Sequence, residues 1–303
     1  MKLKYGIIGT GAIGGYYGGR LAKAGNEVHF LLHSDYDFVK QNGLRVDSVN
    51  GDFYLDKPLV YNTTVDMPLC DVVLVCLKTT QNQLLKELLP PLLHKDTLAV
   101  LIQNGLGIEA DLAAGFPGLQ IAGGLAFICS GKVGAGHIVH SDLGKISMGG
   151  FGFSASPVLD KVCEDMIQAG IPADIAPDLM LMRWRKLVWN IPFNGMTVVL
   201  NTTTDKLMSC PQTHELSYQL MLEVVAGANA CGVGLTVDFA QKMMAMTEKM
   251  TPYSPSMKLD FDSRRPLEIE YIYSRPVLEA SRCGYDMARV SMLEKQLRFL
   301  STR

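Results

Sequence analysis

At 303 residues the chain is long for a single core, and at ~150 residues per domain it divides naturally into two. Hydrophobic residues make up 48% and charged residues 19%, with a formal net charge of -2, so the chain is globular and too neutral to draw a polyanion; nucleic acid is excluded as a partner. Its seven cysteines (Cys70, Cys76, Cys129, Cys163, Cys210, Cys231 and Cys283) are odd in number and never in CxxC spacing. That excludes a disulfide framework and a zinc ribbon, leaves no metal site, and makes them small core residues in a reducing cytoplasm. The basic start followed by apolar residues is no signal peptide, because Gly6, Gly9, Gly11, Gly14 and Gly15 break the apolar run. No segment reaches ~18 uninterrupted apolar residues, so no membrane span is expected.

Up to about residue 177 short apolar runs alternate with helical patterns, the form of repeated βαβ units and of a mostly parallel, doubly wound Rossmann-type sheet. Strands are expected at Lys4 to Ile8, Glu27 to Leu32, Asp71 to Leu77, Thr97 to Ile102 and Gln120 to Ile128. Runs such as VVLVCL and TLAVLI are apolar throughout, as strands covered on both faces must be. Helices are expected at Ile13 to Ala24, Asn82 to Leu93, Glu109 to Ala114 and Val158 to Gln168, the last closed by Gly170. Gly131 to Gly149 reads as antiparallel hairpins, and Phe151 to Pro157 as a loop. After Pro177 only helical patterns follow: Leu179 to Leu200, Glu215 to Cys231, Phe239 to Met250, Leu267 to Arg282 and Ala288 to Leu300. Most of the 16 methionines fall there and read as adaptable core packing. The expected division is thus a dinucleotide-binding domain over 1–177 and an all-helical substrate domain over 178–303, with a hinge near residues 175–178. The apolar, Met-rich helices permit a homodimer without requiring one.

Gly9, Gly11 and Gly14 in KYGIIGTGAIGG lie between an expected strand and an expected helix, the context that makes GxGxxG a dinucleotide signature. The first glycine permits a tight turn, the second lets backbone approach a pyrophosphate, and the third packs helix on strand. Gly9, Thr10, Gly11, Ala12, Ile13 and Gly14 are therefore the expected cofactor loop. About 20 residues on, NAD sites carry a carboxylate for the ribose and NADP sites a cation. Here stand Leu32, His33 and Ser34, with Asp35 just beyond, so the position favours NADP while leaving NAD open.

In the run LMLMRWRKLVWNIPFNGMTVVLN, Lys186, Asn190 and Asn194 recur every four residues and stack on one helix face, which Thr197 and Asn201 extend. Leu181, Trp184, Leu187, Val188, Ile191 and Phe193 cover the rest. A lysine and two asparagines in such a helix must be satisfied, so they line either a polar cleft or a solvated edge beside Arg183 and Arg185. Pro192 removes one helical hydrogen bond and crowds Val188. A lysine beside a nicotinamide cofactor can protonate the alkoxide formed when a 2-oxo acid is reduced, so Lys186 is the candidate general acid. Its carboxylate partner is Glu268 or Glu270, between which periodicity does not choose.

Five motifs in order, GTGAIGG, VCLKTTQ, IQNGLG, WRKLVWN and SPSMKLDFDSRRPLEIEYI, resemble the ketopantoate reductase (2-dehydropantoate 2-reductase) family along essentially the whole chain. The resemblance implies NADPH-dependent reduction of 2-dehydropantoate to (R)-pantoate on the path to pantothenate and coenzyme A. It implies Lys186 as catalytic acid, Glu268 rather than Glu270 as its partner and a ligand of the substrate hydroxyl, and Asn190, Asn194 and Ser256 as groups that orient the substrate. Asn104 would sit beside the nicotinamide ribose and link cofactor to substrate, and Lys78 would face the cofactor. The departure is His33, where many members carry arginine against the 2′-phosphate; a mostly neutral imidazole is a poorer clamp. Two other readings compete: reduction of a different branched 2-oxo acid, and a non-enzymatic NADP(H) sensor, which would have no need of Lys186, Glu268 and Asn104 together.

Overall fold

The apolar runs of the first half become neighbouring strands. In chain order the strands are β1 (Lys4–Ile8), β2 (Glu27–Leu31), β3 (Leu44–Ser48), β4 (Phe53–Leu55), β5 (Leu59–Tyr61), β6 (Val72–Val75), β7 (Leu98–Leu101), β8 (Gln120–Gly134), β9 (His137–Gly150) and β10 (Ala173–Ile175). The computed structural model describes residues 2–250, Pro252 and residues 254–302. Its strands form a ten-stranded sheet in the order β4-β3-β9-β8-β7-β6-β1-β2-β5, with β10 on β9. From β5 to β8 every pairing is parallel, and β6 and β7 are buried at all four positions. These are the strands whose sequences are apolar throughout, as burial on both faces requires.

The expected hairpins resolve into one. β8 and β9 pair antiparallel from Ala122↔Gly150 to Gly134↔His137, so the first strand starts at Gln120 and runs past the expected end at Ile128. Strands β3, β4, β5 and β10 were not expected; three of the four have only three residues and β3 has five, too short for a period to register. The helix expected over Asn82 to Leu93 is broken into 3₁₀ turns at Thr79–Leu84 and Pro90–Leu92 around a four-residue helix at Leu85–Leu88. Pro90 and Pro91 cannot donate the backbone bonds that would continue it.

The chain divides into two compact units, Met1–Gln103 with Ile108–Leu179, and Asn104–Gly107 with Met180–Arg303. The division falls at Leu179–Met180 rather than at Pro177, and the second unit also takes in Asn104–Gly107, a strip that the expected boundaries gave to the first. Residues 175–178, the expected hinge, are the end of β10 and the short link to the next helix. In the first unit one core gathers Ile7, Tyr17, Phe30, Val72, Val100, Ile146 and Met166 around the helix Ala12–Lys23.

Among its described residues the regular elements of the second unit are all helical: Leu179–Val199, Thr204–Ser209, Pro211–Ala230, Val237–Glu248, Ser256–Asp262, a π turn at Glu270–Ser274, Arg275–Arg282 and Ala288–Ser301. The short helices at Thr204 and Ser256 were not expected, and the run from Leu267 begins as a π turn rather than an α-helix. Its core holds Trp184, Leu187, Met196, Met221, Val224, Tyr273 and Leu293. Met196, Met221, Met244, Met257 and Met287 are all buried in it, the packing role that their number suggested. The carboxylate of buried Glu223 accepts from Arg289 N at 3.1 Å and Val290 N at 2.7 Å, closing the first turn of the last helix, which has no side-chain cap of its own.

Candidate active site

In the first unit the site is a matter of backbone. β1 lies between β2 and β6, so the chain leaves β1 toward one side and returns later on the other. At such a switch the loops beyond the carboxyl ends of the strands enclose a crevice. Gly9 has φ +94°, a left-handed conformation, and a Cβ there would stand 2.7 Å from Leu77 N. A Cβ on Gly14 would lie 2.3 Å from Gly9 O. On Gly11 it would meet nothing within 4 Å. Two glycines are thus demanded by the protein itself, and the middle one faces open space.

Gly11 caps the helix Ala12–Lys23 with no side-chain hydrogen bond and no acid in the first turn, so the first N–H donors are left for an anion. Thr10 Oγ1 donates to Leu31 O at 2.8 Å, tying the loop to the end of β2. A dinucleotide fits this cradle. Lys78 is exposed and directly follows the Leu77 on which Gly9 packs. Gln103 Nε2 donates to Leu77 O and to Asn82 Oδ1, both at 2.7 Å, fixing the turn that carries Lys78.

After β2, His33 and Ser34 are exposed while Asp35 is buried. Asp35 Oδ1 accepts from Lys132 Nζ at 2.5 Å and from Ser34 Oγ at 2.9 Å, and Oδ2 accepts from Gly136 N at 3.0 Å. Burial pushes the Asp35 carboxyl up, but the bonds from Lys132, Gly136 and Ser34 outweigh it and hold the group below the usual carboxylate range. Lys132 was missed in the sequence because it stands about a hundred positions away. Only the β8–β9 hairpin brings its ammonium to the β2 loop.

In the second unit the site is made of side chains. On the helix Leu179–Val199, Asn190 and Asn194 are 4% and 1% exposed, Lys186 is half-buried and Arg183 is buried. The face is therefore no solvated edge. Asn190 Nδ2 and Asn194 Oδ1 are buried with no hydrogen-bond partner among the described residues. Each such atom costs ~1–3 kcal/mol, so two on adjacent turns are a large fraction of a domain's stability unless a ligand or water completes them. The stripe is shorter than its period suggested. Thr197 Oγ1 is spent on Phe193 O at 2.6 Å, and Asn201 lies beyond the helix end, exposed and at φ +49°.

The segment from Glu268 packs on this helix. Glu268 is 5% exposed and sits just ahead of the π turn, while Glu270 is exposed and bonded to Arg275. Tyr273 Oη donates to Ile191 O at 2.9 Å, beside the proline that interrupts the helix ladder. A Cβ on Gly195 would stand 2.8 Å from that hydroxyl, so the helix surface is cut away to admit Tyr273. Asn104 is half-buried in the strip Asn104–Gly107, where Leu106 N donates to Tyr271 O at 2.8 Å. A Cβ on Gly105, at φ +112°, would reach Tyr271 Cβ at 2.5 Å. Asn104 and Glu268 are thereby tied to the same π turn, a local geometry that recurs at functional sites. Ser256 opens the short helix Ser256–Asp262 and is half-buried. A surface groove of about 420 Å³ between Val199 and Phe299 contains none of these polar groups.

Comparison with known proteins agrees with the geometry. The chain matches the ketopantoate reductase PanE/ApbA family over residues 5–152 and the C-terminal model of the same family over 178–301. The chain belongs to the ketopantoate reductase family. It is 49% identical to a 2-dehydropantoate 2-reductase of Nostoc sp., over 99% of this chain and 96% of that protein. The solved 2-dehydropantoate 2-reductase of Geobacter metallireducens is 39% identical, with a TM-score of 0.96, covering 98% of this chain and 99% of that one. A D-mandelate dehydrogenase solved with NADH and anilino(oxo)acetate, 21% identical with a TM-score of 0.90 over 99% of this chain and 98% of that one, shares the fold.

Proposed function

We propose that this oxidoreductase reduces 2-dehydropantoate to (R)-pantoate with NADPH, with Lys186 as general acid. What carries the reading is the pair of unbonded amide atoms, Asn190 Nδ2 and Asn194 Oδ1, on the helix of Lys186 in a chain of this family. When bound, the reduced nicotinamide supplies hydride to the 2-oxo carbon. Gly9 to Gly14 and the first turn of the helix hold the pyrophosphate, and Lys78 meets the cofactor from the neighbouring loop. Asn190 and Asn194 orient the substrate, with Ser256 and Asn104. Lys186 polarises the carbonyl and gives a proton to the oxygen as it gains charge. Buried Glu268 holds the substrate hydroxyl and the Lys186 ammonium.

The preference for NADPH rests on Asp35 and Lys132. The carboxylate nearest the end of β2 is already committed to Lys132, Ser34 and Gly136, so it is not disposed to take ribose hydroxyls. Lys132 also brings a cation to a loop whose own sequence has none, beside His33 and Ser34. An ammonium has three donors, and Asp35 uses one. Seven cysteines with no disulfide fit a cytoplasmic enzyme.

The deciding experiment follows loss of reduced cofactor with 2-dehydropantoate and a panel of other 2-oxo acids, using NADPH and then NADH. Turnover of 2-dehydropantoate above the other acids is expected. Brisk turnover of another acid with none of 2-dehydropantoate would replace the substrate assignment, and equal kcat/KM for the two cofactors would remove the NADPH assignment.

A further inference from the structure

Four of the seven cysteines are not fully buried, and two of these face each other across a pair of helices. Cys283 is exposed and Cys231 half-buried, and both end helices: Cys231 caps Pro211–Ala230 and Cys283 caps Arg275–Arg282. The two helices run close. A Cβ on Gly227 would stand 3.3 Å from Ala280 Cβ and 2.9 Å from Met287 Sδ, so the backbones approach here as only a glycine allows. Cys231 lies one turn beyond Gly227, and Cys283 one turn beyond Ala280, on the same facing sides. A single carbonyl then ties both ends together. Glu279 O accepts from Cys231 Sγ at 3.4 Å and from Cys283 N at 3.1 Å. Cys283 stands near enough to Cys231 to push its thiol up.

We propose that Cys231 and Cys283 are a redox-active pair that closes to a disulfide with a low-molecular-weight disulfide and reopens with thiol. Cys283, the exposed member, attacks first as its thiolate. Its sulfur bonds to one sulfur of the small disulfide, the S–S bond of that molecule breaks, and one small thiolate leaves. Cys231 then loses its proton to solvent and attacks Cys283 Sγ, expelling the second small thiolate. Both cysteines are oxidised, and the small disulfide is reduced to two thiolates that take up the two protons the cysteines lose. Burial and the neighbouring Cys283 push the Cys231 thiol up to about 12, which makes the second attack the slower one and accelerates closure as pH rises.

The bond reaches toward the chemistry. The helix that Cys283 caps continues directly from the π turn, whose Tyr273 bonds Ile191 O and which follows Glu268. Closing the pair staples the far end of that segment to the helix Pro211–Ala230. The thiol chemistry stands apart from the reductase reading and is measured without substrate.

The test incubates the full chain with oxidised glutathione and maps its peptides by mass spectrometry. The expected product is a Cys231–Cys283 cross-link, lighter than the dithiol form by two hydrogens, with the other five thiols still free. Its unfolding midpoint should rise by about 5 °C and fall back with dithiothreitol. Cys231→Ser should stop at a glutathione adduct on Cys283, and Cys283→Ala should give neither product. Glutathione retained on Cys283 of the unaltered chain, both thiols remaining free, or a different pairing would each overturn the proposal.

Discussion

The two units build their candidate functional groups from different materials. In the first, the cofactor loop is shaped by what is missing: Gly9 and Gly14 have no room for a Cβ, and the first helical turn has no side-chain cap. In the second, the site consists of side chains buried beyond what their polarity justifies, two of them with unbonded atoms. A site made of absences is fixed by the fold and fails with it. A site made of buried amides is held against the fold's own preference, so changing it should separate activity from stability.

That contrast can be broken in order of effect. Lys186→Ala should lower kcat by about 10²- to 10⁴-fold in steady-state turnover, while cofactor affinity by fluorescence titration stays within about twofold. Full activity would remove the general-acid role. Gly14→Ala should cost about 1–3 kcal/mol in denaturant unfolding and more than tenfold in cofactor affinity, because the atom in the way is backbone oxygen that has nowhere to go. Unchanged values for both would mean that the loop is not the rigid cradle described.

Asn194→Ala tests the other side. Removing a side chain that carries an unbonded buried oxygen should leave unfolding stability within about 1 kcal/mol of the original, while KM for the 2-oxo acid rises about tenfold or more. Parallel loss of stability and affinity would make Asn194 an ordinary core residue.

The smallest effect concerns Asp35. Asp35→Asn should cost about 1–2 kcal/mol near neutral pH, since it weakens the charged bonds to Lys132 and Gly136. The sign with pH follows from a carboxyl held below its ordinary value of 3.8. Its contribution is whole above that value and is lost as pH falls through the lower, folded one, so the stability gap between the two proteins should shrink in acid. A gap that is constant down to acid unfolding would mean that the charge is not what holds the hairpin. Lys132→Met should raise the Kd for NADPH several-fold relative to that for NADH, a ratio that a general loss of stability leaves alone.

The same contrast explains what could be read from the chain. The strands VVLV and LAVL, the glycine loop and the Lys186–Asn190–Asn194 face are local patterns, and each was visible because its meaning lies within one turn or one strand. The choice between Glu268 and Glu270 was not local: both lie on the same short run, and packing alone buries one and exposes the other. Lys132 at Asp35, Tyr273 at Ile191 and Leu106 at Tyr271 join positions far apart in sequence, and no period announces them. The cysteines were misjudged as a class for the same reason. Cys70, Cys129 and Cys163 are buried as expected, but Cys283 is exposed at a helix end that composition cannot locate.

The strip Asn104–Gly107 bears on how this protein could have been assembled or taken apart. It belongs to the helical unit, yet both of its flanks belong to the sheet unit. Neither half is a continuous length of chain. A fragment beginning at Asp178 would leave Tyr271 O without its Leu106 partner and Gly105 absent from the surface it fits. The helical half is therefore not a cassette that recombination could lift out at one cut, and its inheritance is bound to that of the loop after β7.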